Sequence, residues 1–285
     1  MKHISLLLLL FVYAFSYDAF IKPQELKTLL QNKELIILDV GSRESYKKSH
    51  IQNAVHVDVS KFSNKSTYSL QSSLRKLGIN FDSHIVLYSH NTQKGFLNSS
   101  YFAYLCMSHG FENISILDGG YMAWLFENEL LTSNIPSFAK KYGNVELKKN
   151  SSFFVDSDYL QSALGKVSIL DSRSPRHYYG VEKSDSIKAV GHIPHAKSSF
   201  YKDKFFTDET LKPTSQLHEI FISGHGLQSD DEIIVYGADI FDASMNWYIL
   251  YKYMGFKNTK IYEASFFEWG NNSGLPVTRY KWETK

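Results

Sequence analysis

The chain has a single cysteine, Cys106, among its 285 residues, and its charges nearly cancel. One thiol cannot form a disulfide within the chain, so no disulfide framework supports the fold. With 31 basic and 29 acidic residues the formal net charge is +2, which predicts no basic surface for nucleic acid or an anionic membrane. The sequence also lacks a CxxC pair, an H-E-x-x-H motif and a glycine-rich phosphate loop. We therefore expect no cofactor and no bound metal.

The first sixteen residues have the pattern of a secretory signal peptide. Lys2 precedes an apolar run from Ile4 to Phe15, and the small residues Ala14 and Ser16 suit a cleavage site. The run is shorter than the roughly 20 apolar residues that a membrane-spanning helix needs. We expect residues 1–16 to be removed on export, which predicts a periplasmic or secreted protein. A retained N-terminal anchor is the alternative, and it would be the only membrane contact.

After residue 16 the sequence contains two copies of one unit. The run Ile37–Val40 returns as Ile169–Ser172, and Val86–Tyr88 returns as Ile234–Tyr236. A chain of this length can hold two domains, each with its own core. The repeat predicts a first domain at residues 17–131 and a second at residues 153–285, joined by a polar linker at residues 132–152.

Within each copy, short β-rich runs alternate with amphipathic helical runs. This alternation is typical of strand–helix–strand units around a parallel sheet. The predicted strands are Glu34–Val40, Val55–Val57, Ile85–Tyr88 and Ile114–Leu117 in the first copy, and Ser168–Ser172, Ile233–Tyr236 and Thr259–Tyr262 in the second. We predict an α/β protein of two tandem domains, each with a central, mostly parallel sheet flanked by helices.

The stretch Glu232–Leu250 indicates a strand, a short loop and a helix. Ile233–Tyr236 is an apolar run typical of a buried strand, and large apolar residues have helical spacing from Ala243 onward. The loop Gly237–Asp242 is expected at the carboxyl ends of parallel strands, where the amides of a helix N-terminus favour anions. This loop is the best candidate for a binding site.

Three motifs stand at a characteristic spacing: GHIP at Gly191–Pro194, LDGGYMAW at Leu117–Trp124 and YEASFFEW at Tyr262–Trp269. Together with the loop stretch they resemble the tandem-domain rhodaneses, the family of thiosulfate and 3-mercaptopyruvate sulfurtransferases. The resemblance covers nearly the whole chain after residue 16, and it implies two rhodanese-like domains. In that family the first loop residue after the strand is a cysteine, which carries sulfane sulfur as a persulfide. Here the position holds Gly237.

The resemblance also implies a substrate site, made of Arg173 and the loop residues Gly237, Ala238, Asp239, Ile240, Phe241 and Asp242. The family uses the matching arginine to hold the sulfonate or carboxylate of the substrate, for which a guanidinium fork is suited. A second interpretation stays open, in which Arg173 braces the fold by pairing with an acidic neighbour. Asp242 is expected to cap the helix that starts at Ala243. Asp239 is expected to pair with Arg173 and close the pocket to anions.

Sulfur transfer needs a thiolate, and glycine has no side chain with which to attack. We therefore predict a catalytically degenerate sulfurtransferase relative that has no catalytic residue. It would act as a ligand-binding or protein-interaction module, with a small sulfur-containing anion or an unidentified protein as partner. The alternative is an active sulfurtransferase that transfers sulfur from thiosulfate or 3-mercaptopyruvate, for instance with a cysteine from another chain.

Two other candidate nucleophiles are less favoured. Cys106 lies in the apolar helical run Tyr101–Met107, so we expect it in the core. The first copy has Ser89 beside His90 in its equivalent loop, but adjacent residues rarely form a serine–base pair, and no orienting acid is evident in the sequence.

Overall fold

The computed structural model describes residues 17–63, 65–90, 93–127, 131–134 and 141–282, with only the backbone of residues 93 and 94; the predicted signal peptide lies outside this part. A five-stranded parallel sheet organises the first half. Its strands, in the spatial order β1-β6-β5-β2-β4, are β1 (Phe20–Ile21), β2 (Leu35–Asp39), β4 (Val55–His56), β5 (His84–Tyr88) and β6 (Ile114–Leu117). A short antiparallel pair, β3 (His50–Ile51) with β7 (Leu131–Thr132), lies outside it.

A second five-stranded parallel sheet repeats this arrangement. Its strands, in the order β10-β9-β11-β12-β8, are β8 (Phe154–Val155), β9 (Ser168–Asp171), β10 (Ala196–Ser198), β11 (Ile233–Tyr236) and β12 (Thr259–Tyr262). Starting from β8, the order is β8-β12-β11-β9-β10, and it corresponds strand for strand to β1-β6-β5-β2-β4 in the first sheet. The predicted α/β fold with two parallel sheets is confirmed, and β1, β3, β7, β8 and β10 are additional strands.

Helices flank both sheets. The α-helices are α1 (Pro23–Leu29), α2 (Arg43–Lys48), α3 (Thr67–Lys76), α4 (Gln93–Met107), α5 (Gly120–Glu127), α6 (Ser157–Ala163), α7 (Pro175–Tyr179), α8 (Thr214–His218), α9 (Ile240–Tyr248) and α10 (Ser265–Trp269). Short 3₁₀ turns occur at Val59–Phe62, Ser151–Phe153 and Tyr201–Lys204, and π-helical turns at Glu219–Gly224 and Ile249–Tyr253. In the described part of the chain, no helix is long and apolar enough to cross a membrane.

The two halves pack against each other through α4 and α9, the helices that follow β5 and β11. One hydrophobic cluster includes side chains from both halves, so a shared core joins them. Buried hydroxyls reinforce the contact: Ser100 and Ser244 lie 2.9 Å apart, and Tyr248 donates from α9 to the Ala19 carbonyl at 2.6 Å. These hydrogen bonds satisfy polar groups that are buried at the contact between the two halves.

The described part of the predicted linker is attached to the first half. β7 includes Thr132 and pairs with β3 of the first half. Further on, Val145 is buried, and its carbonyl accepts a hydrogen bond from Arg75 Nε at 2.8 Å. The domain boundaries at residues 131 and 153 stay a prediction.

Candidate functional site

The loop after β11 is shorter than the sequence suggested, because α9 begins at Ile240 and not at Ala243. Asp239 is the N-cap: its side chain accepts a hydrogen bond from the Phe241 amide at 2.9 Å. The prediction that Asp242 caps this helix is therefore wrong. Asp242 lies within the first turn, where a carboxylate still interacts favourably with the helix dipole.

The carboxylates of the loop bind the amides of the same loop. Asp242 Oδ2 accepts from the Ala238 amide at 3.2 Å, while Asp239 takes the Phe241 amide. These are the donors that would otherwise be available to a bound anion. Burial raises the pKa of Asp242 to about 6, the Ala238 hydrogen bond opposes this, and the neighbouring negative charge of Asp239 adds to it. The loop therefore presents acceptors and negative charge to its surroundings.

Gly237 occupies a space with no room for a side chain. A Cβ atom built there would stand 2.4 Å from Asp242 Cβ, 2.7 Å from the Asp239 carbonyl oxygen and 2.9 Å from the Ala243 amide nitrogen. Two of these three atoms belong to the backbone, so a rotamer change cannot relieve the contact. The loop has closed over the position that the resemblance assigns to the nucleophile.

Arg173 braces the second half. It is 5% exposed, and its guanidinium donates to both carboxylate oxygens of Asp171, with Nε at 2.9 Å from Oδ1 and Nη2 at 2.5 Å from Oδ2. A further bond reaches the Gly191 carbonyl at 2.7 Å, and the guanidinium stacks 3.8 Å from the Phe266 ring centroid. Burial opposes the charge, but the Asp171 carboxylate outweighs it and raises the pKa of Arg173.

The prediction that Asp239 pairs with Arg173 is wrong. Arg173 forms its ion pair with Asp171 at the end of β9, whereas Asp239 caps α9. Of the two interpretations of Arg173, the contacts are those of the bracing one. The sequence could not decide this, because Asp171 and Arg173 flank a single residue and their side chains meet only when the strand ends between them.

In the first half, an acid lies beside a histidine at the equivalent place. Gly41 stands where Arg173 stands in the second half, and its amide donates to Asp39 Oδ1 at 2.8 Å as the Arg173 amide does to Asp171. The other oxygen of Asp39 lies 3.3 Å from His90 Nε2, and the His90 ring stacks on Tyr121. This acid beside His90 is one that sequence spacing missed, since the two residues are far apart along the chain.

A cleft of about 910 Å³ lies between the halves. It is lined by Val40, Gly41, Ser42, Arg43, His56, Asp58, Val59, Ser60, Lys61, Ser63, Gly95, Leu97, Asn98, Asp239, Phe241 and Asp242. Cavities of this size hold small organic ligands. Three of the predicted site residues, Asp239, Phe241 and Asp242, line the cleft, whereas Arg173 and the other loop residues are not part of its lining.

The described part of the cleft offers neither a reactive thiol nor a cluster of metal ligands. Cys106 is fully buried in the shared core and does not line the cleft, and burial strongly raises its pKa, so its thiol stays protonated. Within the described ranges, no three metal-ligating side chains come together. The described walls of the cleft therefore supply charges and hydrogen-bonding groups, but no thiolate.

The profile of the rhodanese-like domain matches the chain twice, at residues 22–127 and 156–272. The chain belongs to the rhodanese-like family. It is 28% identical over 272 residues to the thiosulfate sulfurtransferase of Azotobacter vinelandii, covering 90% of this chain and 96% of that protein. It is 27% identical over 255 residues to the 3-mercaptopyruvate sulfurtransferase of Escherichia coli, covering 85% and 88% respectively.

Solved structures show the same fold. The crystal structure of YnjE superposes with a TM-score of 0.82 at 19% identity, over 92% of this chain and 68% of that one. The structure of EanB gives a TM-score of 0.80 at 19% identity, over 93% and 70%. The predicted family and the tandem fold are thus confirmed.

Proposed function

We propose that this rhodanese-like protein is exported and does not catalyse sulfur transfer, and that it binds a ligand in the cleft between its two halves. The observation that carries the proposal is the state of the loop at Gly237. No thiol stands at the family's nucleophile position, and the space that a cysteine would need is filled by Asp242 and two backbone atoms.

Three contacts support the loss of turnover. The amides of Ala238 and Phe241 are bonded to carboxylates of their own loop, so they are not available to hold a persulfide or a thiosulfate anion. The guanidinium of Arg173 is bonded to Asp171, and the residue is 5% exposed. A substrate anion would therefore find two of the loop amides, and the arginine that the family uses, already engaged.

Turnover is tested on the mature, unaltered protein with thiosulfate and cyanide, by the formation of thiocyanate. We expect none above the rate without protein, whereas a working sulfurtransferase assayed in parallel gives a signal. Intact-mass measurement after incubation with thiosulfate is expected to show no added sulfur. Thiocyanate formation, or a sulfur atom on Cys106, would contradict the proposal and favour the alternative of an active sulfurtransferase.

Export is supported by the sequence pattern of residues 1–16. The test is the mass of the protein purified from cells that express the whole chain, together with its distribution between cytoplasmic and envelope or culture fractions. We expect a chain that starts after Ser16 and lies outside the cytoplasm. A full-length cytoplasmic protein would contradict this part and leave the absence of turnover unaffected.

A further inference from the structure

The two walls of the cleft carry charges of opposite sign. The second half contributes Asp239 and Asp242, of which Asp242 is the less exposed, together with the ring of Phe241. The first half contributes the exposed side chains of Arg43 and Lys61. Asp58 lies beside Lys61, with its carboxylate 3.8 Å from the Lys61 amine, and offsets one of these two positive charges. One wall is thus acidic, and the other keeps an excess of one positive charge.

The acidic wall disfavours a simple anion. The carboxylates of Asp239 and Asp242 each use an oxygen to bind a loop amide, and their negative charge remains at the cleft. An anion placed near them would be repelled at short range, while a protonated amine would be attracted and could also lie against the Phe241 ring. A ligand with only a positive group would contact the acidic wall but would have no anionic group for Arg43 on the opposite wall.

Part of the cleft lining is apolar, beside polar residues such as Ser42, Ser60 and Asn98. Val40, Val59 and Leu97 of the first half and Phe241 of the second line the same cavity. With a volume of about 910 Å³, the cleft has room for an organic body that separates two charged ends. Apolar area supplies affinity in such pockets, and the few polar groups set the orientation.

We propose that the cleft binds a small zwitterion, with its ammonium group toward Asp239 and Asp242 and its anionic group toward Arg43 and Lys61. This inference rests on the proposed function in taking the cleft as a ligand site. It goes further by naming the class of ligand, and it replaces the small sulfur-containing anion expected from the sequence.

The inference is tested with three matched probes in calorimetric titrations of the mature protein. Leucyl-leucine carries both terminal charges, its N-acetyl derivative only the negative one, and its amide only the positive one. Because each lost charge removes a contact with one wall, we expect leucyl-leucine to bind about tenfold more tightly than either derivative, the factor that corresponds to 1.4 kcal/mol. Thiosulfate is the fourth probe and is expected to bind more weakly than leucyl-leucine.

Charge variants assign each end of the ligand. In the Asp239→Asn, Asp242→Asn double variant, leucyl-leucine and its N-acetyl derivative should bind alike; asparagine still caps a helix and still accepts hydrogen bonds, so the loop is retained. In the Arg43→Gln, Lys61→Gln double variant, leucyl-leucine and its amide should bind alike. The control is Lys47→Gln, an exposed residue of α2 that does not line the cleft, and it should change nothing.

The inference is overturned if leucyl-leucine does not bind, if the three peptides bind equally, or if thiosulfate binds more tightly than the dipeptide. It is also overturned if the double variants keep the preferences of the unaltered protein. None of these outcomes produces thiocyanate, so they are distinguishable from a failure of the proposed loss of turnover.

Discussion

Restoring the family's cysteine is expected to damage the loop rather than to restore catalysis. In the Gly237→Cys variant, the new Cβ would lie 2.4 Å from Asp242 Cβ, against a usual carbon–carbon contact of about 3.5 Å or more. The backbone atoms at 2.7 Å and 2.9 Å block movement away from Asp242. The first turn of α9 therefore has to shift by about 1 Å to admit the side chain.

The expected cost follows from this overlap. Forcing extra atoms into a packed site typically costs about 1–3 kcal/mol. The shift would also disturb the hydrogen bonds from the Ala238 and Phe241 amides, and each such bond contributes about 0.5–1.5 kcal/mol on average. We expect a loss in the free energy of unfolding of about 2–4 kcal/mol when part of both effects is counted.

Urea unfolding measures the loss of stability, and the thiosulfate–cyanide assay measures whether sulfur transfer is restored. The control is Gly274→Cys, at an exposed turn where the nearest atom to a new Cβ is a side-chain oxygen at 3.3 Å. That variant should stay within about 0.5 kcal/mol of the unaltered protein, as is usual at a surface position. The steric argument is refuted if Gly237→Cys is as stable as the control, and the functional argument is refuted if it forms thiocyanate.

Three other predictions concern buried charges. Burial lowers the pKa of Lys204, whose amine bonds to Ser199 Oγ at 2.9 Å, from 10.5 to about 7. The unfolded chain therefore binds the extra proton between these values, so stability should rise with pH from about 7 upward, and Lys204→Met should flatten this rise in urea midpoints from pH 7 to 9. Burial raises the pKa of Asp242 from 3.8 to about 6, so the folded chain holds that proton more tightly and stability should gain as pH falls from about 6 to 4. Asp242→Asn should remove this gain in stability, and a variant with the same pH dependence of stability as the unaltered protein would contradict the prediction. Arg173→Met leaves the Asp171 carboxylate buried without its partner and should cost about 3–5 kcal/mol of unfolding free energy. Dipeptide binding in the cleft should be unchanged, and weakened binding in a variant that is still folded would show that Arg173 reaches the ligand.

The sequence was sufficient for the fold and the family. Apolar runs such as Ile233–Tyr236 predict buried strands, because a strand covered on both faces is a short continuous run of apolar residues. The repeat of Ile37–Val40 at Ile169–Ser172 predicts two copies of one sheet. Very short edge strands such as β1 and β8 were missed, since two residues carry no period. The sequence also shows that position 237 has no thiol, because this depends only on the identity of the residue.

Tertiary structure alone decided which partners the charged residues have. Asp171, rather than Asp239, pairs with Arg173, and His90 lies beside Asp39 at the end of a sheet. It also decided that Asp239 and Asp242 share a cleft with Arg43. Side-chain partners depend on where neighbouring strands end and how two domains pack, and these distances are set by contacts between residues far apart in the chain, which no local pattern records.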